Sequence, residues 1–85
     1  MNIYVLYQPN SESERPAHDF ARQLEQFQVK AQLIDTNSTE GTRLTELYDL
    51  LSRPAVVVIQ NDGTLVQAWQ HGLPSLDDVV NLAHT

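Results

Sequence analysis

The chain has 85 residues, with 11 acidic and 5 basic side chains for a net charge of −6, 41% hydrophobic residues and no cysteine. That length gives one domain, residues 1–85, burying roughly 60% of its unfolded surface, and the apolar content argues against disorder. The composition excludes disulfides, thiolate metal sites and any dithiol mechanism carried by these residues. Arg15, Arg22, Lys30, Arg43 and Arg53 are scattered, which excludes a basic stripe for nucleic acid, and no apolar run reaches the roughly 18 residues of a membrane span.

In chain order, Ile3 to Tyr7 is β-branched and aromatic throughout and reads as a central strand. Met1-Asn2-Ile3-Tyr4 has no basic n-region or cleavage site, so the expected location is cytoplasmic. Pro9 and Asn10 end the strand. Ser13 is the preferred N-cap of a first helix, because it puts Pro16 in the first turn, where a missing N–H costs little. Ser11 with Glu14 offers a capping box, but that frame sets Pro16 too deep. Ala17, Phe20, Ala21, Leu24 and Phe27 form the apolar stripe of that helix.

Val29 to Ile34 reads as a second strand, Asp35 to Ser38 as a polar loop, and Thr39 to Leu51 as a helix with Leu44, Leu47, Tyr48 and Leu51 on one face. Gly41 weakens its first turn by up to about 1 kcal/mol relative to Ala. Val56 to Ile59 is a run of four β-branched residues, as in a strand buried on both faces. Asn61-Asp62-Gly63 turns the chain, and Leu65 to Trp69 returns as a last strand, with Trp69 and Leu65 expected on one face. Ser75 caps a final helix with Asp77 and Asp78 in its first turn and Leu76, Val79, Val80 and Ala83 on one face.

Pro54, the apolar strand, the Asn61-Asp62-Gly63 turn, the second strand, Gly72 and the helix led by Ser75 resemble the C-terminal half of thioredoxins and glutaredoxins. The βαβαββα order is similar to that of glutaredoxins and of the glutathione-binding half of glutathione transferases. The resemblance implies an α/β thioredoxin-like fold, a four-stranded mixed sheet of order 2-1-3-4, with the last strand antiparallel at an edge. The first and last helices then cover one face and the middle helix the other. It also implies that the Arg53-Pro54 bond is cis and faces the site.

In that family a Cys-x-x-Cys or Cys-x-x-Ser sits between the first strand and first helix. Here Glu14-Arg15-Pro16-Ala17 falls on the motif, with Pro16 matching the proline of Cys-Gly-Pro-Cys, so Glu14 and Ala17 replace the two thiols. Shifting the frame to Ser11 or Ser13 supplies a hydroxyl and no thiol. Tyr7 lies near the place where some glutathione transferases hold a glutathione thiolate. Its other reading is packing in the sheet, with the serines as caps. Arg15 and Arg53 would meet near the helix start and bind an anion, or stand solvated beside Glu12 and Glu14.

The functional expectation is a non-redox protein-binding or adaptor module using Tyr7, Ser11, Ser13, Glu14, Arg15, Arg53 and Pro54, with a protein partner, no catalytic residue and no cofactor. The alternative is a glutathione- or thiol-ligand-handling protein whose reactive sulfur comes from the ligand. A homodimer through the edge strand is a third reading. His18, His71 and His84 are far apart and lack ligand spacing, so no metal site is expected.

Overall fold

A computed structural model describes residues 1–50, 55–70 and 72–83. Strand β1 (Asn2–Tyr7) turns Ile3 and Val5 to one side of the sheet and Leu6 to the other, all 5% exposed or less. Helix α1 (Glu14–Gln26) buries Ala17, Phe20, Ala21 and Leu24, as its period requires. Phe27, expected to continue the stripe, is 49% exposed. It is the C-cap residue, where the helical repeat has already ended.

The stop is a Schellman motif. Gln28 adopts a left-handed φ of 61°, the N–H of Val29 donates to the Leu24 carbonyl (3.0 Å) and that of Gln28 to Glu25 (2.9 Å). Val29, expected to open the second strand, is instead the buried apolar residue that closes this motif. Strand β2 (Ala31–Asp35) begins two residues later.

Helix α2 (Thr39–Leu47) is capped by Ser38, whose Oγ accepts the N–H of Gly41 (3.0 Å). Gly41 is a requirement rather than a weak point. A Cβ there would overlap the carbonyl oxygen of Asp35 and lie 2.8 Å from Thr36 Cα, so only glycine lets the first turn sit on the end of β2. The helix is shorter than expected and ends at Leu47, which is 61% exposed. Asp49 takes a φ of 53°, the N–H of Leu50 reaches the Thr45 carbonyl (2.9 Å), and Leu50 rather than Leu47 enters the core. Leu51 lies outside the described residues.

Strand β3 (Ala55–Ile59) is buried at every position, between 0 and 5% exposed. Burying a valine side chain is worth on the order of 1.5–3 kcal/mol as an upper figure, so Val56, Val57 and Val58 are a main source of stability. The turn to strand β4 (Leu65–Trp69) puts Gly63 at φ 93°, with its N–H on the Gln60 carbonyl (2.9 Å). Tyr48 Oη donates to the Gly63 carbonyl (2.7 Å) and ties this turn to the end of α2.

In β4, Gln67 opposes Val58 while Leu65 opposes Ile59, so the strand bulges at Val66. The bulge overturns the expected pairing of faces. Trp69 shares the helix-covered face with Val66, and Leu65 stands 40% exposed. Helix α3 (Leu76–Ala83) starts as expected, with Ser75 Oγ accepting the N–H of Asp78 (3.2 Å), and buries Val79.

The sheet order is β2-β1-β3-β4, with β1 parallel to β2 and antiparallel to β3, and β3 antiparallel to β4. One core contains residues of α1 and α3 with Val5, Val56 and Val58; the other contains Leu44 of α2 with Leu6, Ile34, Leu50 and Val57. This is the layering expected from the sequence. Because β1 and β3 fill the middle of the sheet, the end of β1 and the start of α1 open onto a common rim.

Candidate functional site

That rim is built by serine hydroxyls. Beyond Tyr7 the chain passes through Asn10 in a left-handed conformation (φ 59°). Ser11 Oγ donates to the Gln8 carbonyl (2.6 Å) and accepts the N–H of Ser13 (3.2 Å). Ser11 and Ser13 Oγ lie 2.8 Å apart, and Ser13 Oγ accepts the N–H of Gln8 (3.1 Å). Since the Ser11 proton is committed to Gln8, Ser13 must donate to Ser11. The result is a closed loop of bonds joining strand end to helix start, with Ser13 8% exposed.

Ser13 is the N-cap by position, as expected, but not by chemistry. Its backbone is helical (φ −81°, ψ −17°) and its side chain makes no capping bond. A capping oxygen needs the extended backbone that Ser38 has. The Ser11 and Glu14 capping box is also absent; the Glu14 N–H bonds the Ser11 carbonyl (3.3 Å) instead.

The helix start is therefore nearly satisfied. Ser11 takes the Ser13 and Glu14 amides, and Pro16 has none to give. Arg15 keeps the one N–H of this first turn that has no partner among the described residues. The Arg15 side chain is exposed and Glu14 half-buried. Among the described residues the single ion pair is Arg22–Asp19 at 3.8 Å, both well exposed and of little consequence.

Glu14 is the first residue of α1 and partly open, and Ala17, one turn on, is 0% exposed. Tyr7 is half-buried against the α1/α3 core, and its ring meets that of His18 edge-on, centroids 5.1 Å apart at 64°. His18 has no metal-ligand spacing to the other histidines in the sequence. What brings it here is its place next to Ala17, one turn into a helix that starts at the end of β1. Arg53 and Pro54, with the expected cis bond, lie outside the described residues, as does His71.

An open depression of about 580 Å³, lined by Met1, Gln60, Asn61, Asp62, Val66 and Leu82, lies at the other end of the sheet, by the start of β1 and the β3–β4 turn. It contains none of the expected site residues. Asp62 there has its carboxyl held below the usual aspartate range, first by the hydrogen bond from the Thr64 N–H (2.9 Å). No group of three metal-ligating side chains comes together among the described residues.

The sheet order, the three helices and the position of the rim define a thioredoxin-like fold, here in a chain without cysteine. Solved structures agree. A malarial protein superposes with a TM-score of 0.71 at 14% identity, covering 94% of this chain and 89% of that one. Thioredoxin 1 from the thermophilic eubacterium Thermosipho africanus gives 0.69 at 13% identity, covering 95% and 88%. Thioredoxin-2, a component of malaria parasite protein secretion machinery, gives 0.70 at 16% identity, covering 95% and 80%. No protein-family profile and no curated protein sequence matches the chain. Among the described residues, no helix is long and apolar enough to cross a membrane.

Proposed function

We propose that this chain is a non-redox thioredoxin-like binding module that docks a protein segment at the rim formed by the end of β1 and the start of α1, with Arg53 and Pro54 as its expected far side. The observation that carries the reading is the serine-tied loop. The expected thiol frame assigns Glu14 and Ala17 to the positions where a redox protein of this fold holds its thiols, and the loop before them is fixed by four hydrogen bonds. A fixed surface binds at lower entropic cost than a mobile one. It presents Arg15, His18 and the edge of Tyr7, which suit a segment with a carboxylate or an apolar ring.

Amide shifts test this. Peptides selected from a random library by the wild-type protein, with Arg53→Glu as the counter-selection, should move residues 7–18 and lose affinity in Arg15→Glu. Glutathione moving the same residues, with no peptide doing so, would replace this reading by the thiol-ligand alternative. Neither ligand moving them would remove the rim as a site.

A further inference from the structure

The open depression of about 580 Å³ lies at the end of the sheet away from the rim, and its two sides differ in chemistry. One side is apolar and comes from distant parts of the chain: Met1 before β1, Val66 of β4 and Leu82 of α3. Val66 and Leu82 pack against the α1/α3 core, which holds this wall in place. Val66 stands on that face because β4 bulges there, and bulges commonly re-aim a side chain beside a site. The other side is a single stretch of turn, Gln60, Asn61 and Asp62. It carries two side-chain amides and a carboxylate, and no basic side chain lines the depression. One carboxylate oxygen of Asp62 accepts the Thr64 N–H (2.9 Å), which holds the group below the usual aspartate range and ionised at neutral pH. A carboxylate has room for further donors, and the single ion pair among the described residues, Arg22–Asp19, leaves Asp62 without a cation.

We propose that this depression binds a small primary ammonium with an apolar body, its ammonium on Asp62, Asn61 and Gln60 and its body against Val66, Leu82 and Met1. The chemistry of the lining selects this class. An ammonium has three N–H donors, and the polar side offers side-chain oxygens from three consecutive residues. An anion would meet Asp62 on a chain of net charge −6, whereas a cation is drawn to both. A bare metal ion finds no group of three ligating side chains among the described residues and leaves the apolar wall unused. The volume falls within the roughly 300–1,000 Å³ of small-molecule sites. Because the depression is open, a ligand the size of phenethylamine should bind with Kd on the order of 1 mM.

Amide shifts with phenethylamine as the probe test this. Residues 1–3, 60–66 and 82 should move and saturate. 2-Phenylethanol, which lacks the charge, and phenethyltrimethylammonium, which lacks the N–H donors, should each bind at least about tenfold more weakly. Asp62→Asn, which keeps an acceptor for the Thr64 N–H, should weaken the amine at least about tenfold, and Val66→Thr at least about threefold. No saturable shift by about 20 mM amine, shifts spread over the whole acidic surface, equal binding of the alcohol, or an amine indifferent to Asp62→Asn would overturn the proposal. So would tighter binding of Nα-acetyl-lysinamide than of phenethylamine, which would assign the depression to the lysine side chain of a protein.

Discussion

Ser13 Oγ accepts the N–H of Gln8 at 3.1 Å, across the turn where a thioredoxin-like protein would place its reactive group. The bond makes a side chain at the helix start responsible for the shape of the strand end. Ser13→Ala leaves the Gln8 amide and the Ser11 hydroxyl short of a partner. It should cost about 1–2 kcal/mol in denaturant unfolding. Amide exchange should quicken at Gln8 and Ser13 with helical content unchanged. A loss of α1 helicity would indicate that Ser13 caps the helix after all.

Gln28 and Asp49 hold left-handed φ values of 61° and 53° at the ends of α1 and α2. Glutamine takes this conformation poorly, whereas aspartate is among the non-glycine residues that take it more readily. Gln28→Gly should therefore stabilise by about 0.5–1 kcal/mol, and Asp49→Gly by less, the gain being offset in part by the freedom glycine adds to the unfolded chain. Gly41→Ala should do the opposite, by at least about 2 kcal/mol, because backbone at Asp35 and Thr36 must move. Thermal or urea unfolding of the three variants reads all three signs.

Asp62 titrates below its usual 3.8 because its carboxylate accepts the Thr64 N–H. A carboxyl whose folded pKa is depressed adds stability that is present above 3.8 and is lost as pH falls through the folded value. A carboxyl-detected NMR titration should give Asp62 a midpoint below that of the unfolded chain. Asp62→Asn should remove this contribution to acid sensitivity while keeping the turn, since an amide oxygen can still accept the bond. A midpoint at or above 3.8 would contradict the assigned cause.

Much of this architecture was legible in the sequence, because it rests on periodicity and caps. The unbroken apolar run of β3 announced a strand covered on both faces, and Ser75 announced a helix start that its hydroxyl does make. The misreadings lie where a tertiary feature outranks a local one. Val29 and Leu50 are apolar residues that read as a strand start and a helix interior, yet each closes a helix stop whose left-handed residue is not a glycine. A bulge moved Leu65 off the Trp69 face, and nothing in Leu65-Val66-Gln67 signals it. At the rim, Ser11 and Ser13 were recognised as polar helix-start residues. Their bonds to each other and to Gln8 depend on the left-handed Asn10, which no spacing rule predicts.

The thiol frame can be tested by supplying what the chain lacks. The wild-type protein should reduce no disulfide, since no thiolate is available to attack one. Glu14 stands at the first position of α1, partly exposed, where the helix N-terminus favours an anion. Ala17 is fully buried one turn later. A thiol introduced by Glu14→Cys should ionise below the usual 8.5 or so and react with a disulfide reagent at least about tenfold faster than one introduced by Ala17→Cys. In the double variant the two should close into an intramolecular disulfide under mild oxidation, because residues three apart at a helix start are within reach of the bond after a small adjustment. Equal reactivity of the two single variants, or a double variant that oxidises only between molecules, would show that Glu14 and Ala17 are not the vacated thiol positions. The frame would then have to move toward Ser11 or Ser13.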